Sequence, residues 1–360
     1  MGAKKIIISV TSDLSTDHRV QKTTQTLYEA GFNVLLVGRR TRKSLPFQAN
    51  YPFRQFRLLF NSSFLFYAEY NIRLFFLLLF SRADIFLSND LDTLLANCLA
   101  GKLKRKRIVY DTHELFTEVP ELNGRNFVKH IWQMIEQVCL PRVNASYTVC
   151  QSIADYYQTK YHIKMEVVRN VPLCTLQENV VSKLSFPSKK IILYQGALNI
   201  GRGIEWIIQA MPLIKNSILI IIGEGDISND LKMQVERLNL QKQVYFLGRI
   251  SCKELPTYTI AADLGICLLN NNSLSYYYSL PNRIFDFMYA KVPILASDFP
   301  EIRNIITNHH LGEVINNYQP HFLAETITKM LNEKIDDKNF EEAIKQFNWE
   351  NEKKVLLSLF

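Results

Sequence analysis

The chain is predicted to be an α/β protein of two parallel-sheet domains, on three observations. It has 360 residues, more than one ordinary core organises. Short apolar runs alternate with amphipathic stretches almost throughout, as expected for parallel strands joined by crossover helices. The alternation lapses between Cys174 and Lys190, where polar residues and a proline intrude, and it resumes at Ile191. That places the division at residues 1–173, a linker at 174–190, and a second domain from 191 to 345.

In the first domain, Ile6–Thr11, Asn33–Gly38, Phe53–Leu58, Ala83–Asp90 and Arg107–Glu114 read as strands, the last ending in a polar loop. Helices are expected near Val20–Ala30, closed by Gly31, and over Phe64–Ser81 and Phe127–Leu140. ASYTVC then gives a strand, SIADYYQTKY a helix, and Glu166–Pro172 a closing strand. The second domain alternates Ile191–Gly196, Ser217–Gly223, Val244–Gly248 and LGICLL with helices at Gly203–Met211, Ser228–Leu238 and Cys252–Ala262. A last crossover helix covers Pro320–Asn332. Two Rossmann-like domains facing each other across a cleft is the simplest arrangement of these elements.

Composition narrows the class. Hydrophobic residues make up 48% and charged residues 21%, values of a globular protein and not of a disordered one. The cysteines are scattered without a C-x-x-C pair, which argues against a disulfide framework or zinc site and fits a reducing cytosol. The start, MGAKKIIISV, lacks a signal-peptide pattern; Gly2 suits myristoylation by position, but Ile6 stands where that pattern needs Ser or Thr. The greasiest run, Leu74–Phe80, lies between Arg73 and Arg82 and is far short of the about 20 residues that span a bilayer.

Charge is uneven. Residues 1–170 hold 23 Lys and Arg against 14 Asp and Glu, a net of +9, and the remainder nets −1. A basic half suits an anionic membrane surface or nucleic acid. Nucleic acid is not expected, because no reader motif accompanies the charge.

Ligands in open α/β sheets collect at the carboxyl ends of strands, so the loops there carry the candidates. Gly196 to Gly203 includes Arg202, suited to gripping a diphosphate. Gly223, Glu224 and Gly225 form a tight turn, and Arg249 follows Gly248 in a similar place. Ser279, Leu280, Pro281 and Asn282 open a helix that carries Asp286, and a helix start is an anion site with an acid nearby for a hydroxyl. An acidic turn, Asp298 to Glu301, follows the strand VPILAS. In the first domain, Asp13, Asp17, His18 and Arg19 follow the first strand, with helix capping as the plain alternative for several of them. His113 and Glu114 follow another. Neither a P-loop nor a G-x-G-x-x-G dinucleotide motif is present.

Together VTSDLSTDHRV, YDTHE, RNVP, YQGALNIGRGIEWII, IIIGEGD, VYFLGRI and SLPNRIFDF…VPILASDFPEI resemble the retaining glycosyltransferases of family four, in that family's order and over nearly the whole chain. The resemblance implies the GT-B fold, with residues 346–360 as a helix returning to the first domain. It implies a nucleotide-diphosphate sugar as donor, with Arg202 and the helix start taking the diphosphate and Asp286 the ribose. It further implies that His113 meets the donor sugar or the reacting face, that Asp13, Asp17, His18 and Arg19 face the acceptor or the diphosphate, and that Glu114 lies on the acceptor side. Two departures stand out. Tyr278 stands where the family has the first acid of a Glu-x7-Glu pair, and Ala197 where an arginine is common, so Glu301 or the backbone after Tyr278 is the candidate substitute and Arg202 the main cation. The expected reaction is a retaining, metal-independent, hexosyltransferase-like transfer to a glycan or lipid-linked acceptor in surface polysaccharide assembly, such as capsule or lipopolysaccharide. No cofactor is expected, and the place is cytoplasmic, peripheral at the inner face of the membrane. A nucleotide-sugar 2-epimerase and a non-catalytic nucleotide-sugar-binding partner subunit remain alternatives.

Overall fold

The computed structural model describes residues 3–42, 44–173 and 189–360. Gly2 and nearly all of the expected linker at 174–190 lie outside the described residues. The chain divides into two compact units, 1–170 with 352–360, and 171–351.

The first unit contains β1 (Lys5–Asp13), α1 (His18–Glu29), β2 (Asn33–Arg39), β3 (Phe53–Phe56), α2 (Ser63–Phe80), β4 (Ile85–Asn89), α3 (Leu91–Lys104), β5 (Arg107–Thr112), α4 (Asn126–Cys139), β6 (Ala145–Thr148), α5 (Gln151–Tyr161) and β7 (Glu166–Val167). Its seven-stranded sheet runs β3-β2-β1-β4-β5-β6-β7, and every pair in it is parallel. Ile6, Ile7 and Ile8 of β1 pair on one side with β2 and on the other with β4. Such a strand is covered on both faces, which is why it reads as an unbroken apolar run. α2 docks by a single stripe, Phe66, Tyr70, Leu74 and Leu78, spaced one helical turn apart. The Tyr70 hydroxyl donates to the carbonyls of Val10 (2.6 Å) and Val37 (3.2 Å), so its polar end is satisfied where it is buried.

The second unit contains β8 (Lys190–Gln195), α6 (Ile204–Ala210), β9 (Ser217–Ile222), α7 (Ser228–Arg237), β10 (Val244–Gly248), α8 (Leu255–Ile260), β11 (Leu264–Cys267), α9 (Leu274–Tyr277), α10 (Asn282–Tyr289), β12 (Ile294–Ser297), α11 (Pro300–Asn308), β13 (Gly312–Ile315), α12 (Pro320–Asn332) and α13 (Asp337–Gln346). Its parallel sheet has six strands in the order β10-β9-β8-β11-β12-β13. The core joins Ile192, Leu219, Ile221 and Ile266 of the sheet to Ile204, Ile208, Leu323 and Ile327 of the helices. Each such side chain, fully buried, stabilises the fold by about 1.5–3 kcal/mol.

A final helix, α14 (Trp349–Ser358), carries the chain end onto the first unit. Glu352 accepts from the Arg169 backbone N–H at 2.8 Å and its guanidinium at 3.2 Å. Lys4 Nζ donates to the Phe360 carbonyl at 2.7 Å, and Arg107 Nη2 to that of Leu359 at 2.8 Å.

Several elements differ from the pattern-based reading. Only Glu166 and Val167 of the expected Glu166–Pro172 strand pair with β6, since a strand that nears a proline loses its donors. The helix expected from Cys252 begins at Leu255. The acidic turn at Asp298–Glu301 is instead the entry to α11, with Pro300 at its first position, where a missing N–H costs nothing. α3, α9, α11, β13 and α13 have no counterpart in the pattern-based reading. Both sheets reverse their strand order once, between β1 and β4 and between β8 and β11, and ligands of such sheets bind outside the carboxyl ends at those reversals.

Candidate active site

In the second unit the loops after β8 and β9 interlock. Gly196 N–H donates to Ile222 O at 2.9 Å, and Leu198 N–H to Glu224 O at 3.1 Å. A Cβ on Gly223 would lie 1.8 Å from the Gly196 carbonyl oxygen, and one on Gly225 would lie 2.4 Å from that of Leu198. These two glycines are therefore required by close backbone approach. Gly203, at φ 68°, opens α6 from the left-handed region. Glu224 and Arg249 are exposed beside this pair of loops.

Two arginines converge here. Arg202 lies over the Tyr276 ring, 4.8 Å from its centroid, and its buried Nε has no hydrogen-bond partner. Arg283, one residue inside α10, is only 6% exposed and lies 4.5 Å over the Tyr194 ring. Its carbon Cζ is 3.6 Å from where a Gly196 Cβ would sit, and its buried Nη1 has no hydrogen-bond partner. Burial pushes the Cys267 thiol at the end of β11 up, and the positive charges of Arg283 and Arg202 oppose that shift. An unpaired buried cation is costly unless something anionic completes it. α10 starts at Pro281 without a side-chain cap, so its first N–H groups add positive potential at the same edge.

Asp286 lies one turn inside α10. Its Oδ2 accepts from Gln195 Nε2 at 2.9 Å, and Gln195 Oε1 accepts from Thr259 Oγ1 at 2.9 Å. The carboxylate is thereby fixed at the end of β8 while remaining partly exposed. The Ser279 hydroxyl donates to Tyr276 O at 2.8 Å and closes α9. Leu280 is buried and Asn282 exposed. Tyr278 caps α9 with its ring 5.4 Å from that of Tyr277, and Glu301 is a buried residue of the first turn of α11. Tyr278 and Glu301 thus belong to elements separate from α10.

The first unit has its own cluster at the β1/β4 reversal. His113 donates through Nδ1 to Asp90 Oδ2 at 3.2 Å and through Nε2 to Asp111 Oδ2 at 3.1 Å. Its backbone N–H reaches Asp90 Oδ1 at 2.8 Å. Burial alone would lower its pKa, but the two carboxylates outweigh burial and hold it well above the ordinary value. The ring is a fixed imidazolium with both nitrogens committed and its side chain 20% exposed, so it offers an electropositive edge and not a general base. Burial would raise the pKa of Asp111, yet Arg19 and His113 bring it down to about 2. Asp92 behaves oppositely: burial, then the charge of Asp90, raises it to about 8, and Thr11 Oγ1 donates to its Oδ2.

The residues expected on the acceptor side separate here. Arg19 is buried and bound to Asp111 and to Val168 O. Asp17 caps α1, accepting from Val20 N–H at 3.1 Å. Asp13 accepts from Ser15 N–H at 3.0 Å and from the Ser44 hydroxyl. His18 and Glu114 are exposed. Pattern reading missed Arg283, Gln195, Thr259, Asp90 and Asp111. Arg283 had a signal: a lone cation among Ile284, Phe285, Phe287 and Met288, all buried.

Comparison with known proteins agrees with the geometry. The family described as glycosyl transferases group 1 matches residues 177–347, and that described as glycosyltransferase family 4 matches residues 18–172.

The chain belongs to the group 1 glycosyltransferases.

This glycosyltransferase is 25% identical over 180 residues to an uncharacterized glycosyltransferase of Methanocaldococcus jannaschii, covering 48% of this chain and 45% of that protein. It is 29% identical over 113 residues to the alpha-monoglucosyldiacylglycerol synthase of Streptococcus pneumoniae, covering 31% of this chain and 24% of that protein. The chain thus spans about half the length of the first of these relatives, or less. Among solved structures it resembles HepE of Anabaena in complex with UDP-glucose, with a TM-score of 0.76 at 15% identity, over 98% of both chains. That likeness identifies the fold as GT-B, two Rossmann-like domains.

Proposed function

We propose that this glycosyltransferase moves a sugar from a nucleotide diphosphate to a lipid-linked or glycan acceptor in surface polysaccharide assembly. The observation that carries the reading is the pair of guanidiniums, Arg202 and Arg283, each with a buried N–H lacking a partner, at the uncapped start of α10. The chemistry of the step is departure of a diphosphate, so stabilising its growing negative charge is the main task. Two guanidiniums and a helix dipole supply that charge, and the reading needs no metal. In this reading Asp286 accepts from a ribose hydroxyl, and its hydrogen bond from Gln195 supports that role by fixing the carboxylate.

Retention follows a same-face path in this proposal: the bond from the anomeric carbon to the phosphate oxygen breaks, the acceptor oxygen bonds to the same face, and the leaving phosphate takes the acceptor's proton. The His113 imidazolium presents positive charge to the donor sugar. The related synthase named for making alpha-monoglucosyldiacylglycerol and the net charge of +9 in residues 1–170 support a lipid acceptor at an anionic membrane surface, with the protein peripheral on its cytoplasmic side. Tyr278 in place of an acid favours one second reading, a non-catalytic subunit that binds a nucleotide sugar.

A thermal-shift panel of UDP-, GDP-, ADP- and CMP-linked sugars, on wild type and Arg202→Ala, tests the donor site. One nucleotide raising Tm, with the rise lost in the variant, is the expected result. No shift with any of them would overturn the donor assignment. Binding without sugar transfer to any lipid-linked acceptor would select the subunit reading.

A further inference from the structure

The first unit carries an apolar, cationic surface that its fold leaves uncovered. α3 packs against both α2 and α4, and the Tyr67 and Trp132 rings meet at 5.1 Å to join α2 to α4 directly. The three helices therefore share one outer surface. On it stand Ile72, Phe76 and Phe80 of α2, Leu103 of α3, and Phe127 and Val138 of α4, with Phe80 80%, Phe127 77% and Leu103 66% exposed. Among the described residues α2 is the one helix long and apolar enough to cross a bilayer. Its stripe at Phe66, Tyr70, Leu74 and Leu78 is buried in the unit, so it lies along the surface of the unit with its other apolar side outward. Beside α2, a groove of about 690 Å³ opens between Arg54, Arg73, Phe76 and Phe80.

Charge decides what covers this surface. The three helices contain three acids, and all are engaged. Glu69 accepts from the backbone N–H groups of Leu59 and Phe60 and pairs with Arg73. Glu136 is buried against Tyr157, Tyr161 and Thr117. Asp92 is buried against Thr11. Lys102, Arg105 and Arg125 stand exposed at the ends of α3 and α4. A second copy docking by this surface would bring cation against cation. A bilayer rich in anionic lipid is complementary: headgroups meet the cations, while the aromatic and aliphatic side chains enter the acyl boundary.

We infer that the outer surface of α2, α3 and α4 is the membrane-docking surface of this glycosyltransferase, and that its partner is an anionic lipid bilayer. The inference rests on the lipid-linked acceptor reading only for its biological sense, because the measurement uses neither donor nor acceptor. Full-length protein is sedimented with vesicles of phosphatidylcholine alone and of phosphatidylcholine mixed with phosphatidylglycerol, at low and high salt. Wild type binds the mixed vesicles at low salt and is released by salt. The triple variant Phe76→Ser, Phe80→Ser, Phe127→Ser weakens binding by about tenfold or more, since each lost ring forfeits its buried apolar area. The charge-reversed variant Lys102→Glu, Arg105→Glu, Arg125→Glu abolishes the preference for anionic lipid. All six positions are exposed, and an unchanged Tm in each variant confirms folding.

No sedimentation of wild type with mixed vesicles would overturn the inference, as would binding that survives both variants. A wild-type dimer dissolved by the Phe→Ser variant would assign the surface to a second copy instead. A failed nucleotide-sugar panel beside intact vesicle binding would remove the transfer reading and leave this one standing.

Discussion

Arg19 clasps the Asp111 carboxylate with two N–H groups, Nη2 to Oδ1 at 2.8 Å and Nε to Oδ2 at 3.2 Å. Both side chains are withdrawn from solvent, and Asp111 also holds His113. The charge of the candidate imidazolium thus depends on a pair set in the core of the first unit. Substituting Asp111→Asn leaves the Arg19 cation buried and without its carboxylate. A loss of about 3–5 kcal/mol of unfolding free energy is expected, measured by urea titration. The His113 pKa falls toward its ordinary value in the same variant, observable by NMR titration of the imidazole C–H signals. A retained high pKa would show that Asp90 alone sets the charge.

The contrast between fold and site in the sequence has a physical basis. Buried parallel strands must be apolar on both faces, so Ile6–Ile8 and Ile218–Ile222 declare themselves within a few residues. The pair just described does not, because Arg19 and Asp111 are separated by 92 positions and neither residue type marks a partner. Arg19 consequently reads as a surface group facing an acceptor until the fold brings Asp111 to it. Asp17 is the reverse case: capping is a local bond, and the residue's own position before the helix already offered that reading. Gln195 and Thr259 hold Asp286 through side chains from β8 and α8, and no spacing rule connects those segments. α9 is a four-residue helix, too short for any periodicity to register.

Asp92 makes stability depend on pH in an unusual direction for a carboxylate. Its pKa is raised from 3.8 to about 8, so the folded protein binds the extra proton more tightly than the unfolded chain. This contribution is fully present below the unfolded pKa and is lost as pH rises toward about 8. Asp92→Asn keeps an acceptor for Thr11 without a charge to bury. The variant should gain stability over wild type progressively from about pH 4 to about pH 8 and hold a constant advantage above that. Tm measured across this range for both proteins checks it, and a difference that does not vary with pH would refute the assignment.

Gly223 tests the interlocked loops. At φ 138° it lies where L side chains are strained, and a Cβ would come to 1.8 Å from the Gly196 carbonyl oxygen, a backbone atom that has no rotamer to escape into. Gly223→Ala is expected to cost at least about 3 kcal/mol, with loss of any Tm rise on adding the donor nucleotide sugar. Gly31→Ala is the control: nothing lies within 4 Å of its Cβ position, although its φ of 90° is also strained. It should cost less and leave the ligand response intact.

Arg283 separates a binding role from a structural one most cleanly. Its guanidinium is buried over Tyr194, no carboxylate lies within ion-pair distance among the described residues, and Nη1 is unsatisfied. Replacing such a charge by a neutral side chain removes a desolvation cost. Arg283→Gln should therefore leave the free protein as stable as wild type, or slightly more so. Its affinity for the donor nucleotide sugar should fall by about tenfold or more, the usual size of one charge-assisted bond to a diphosphate. Isothermal titration and thermal melting of the same samples give both quantities. A variant that melts far below wild type yet binds the nucleotide normally would make Arg283 a structural cation. Arg202 alone would then serve the diphosphate.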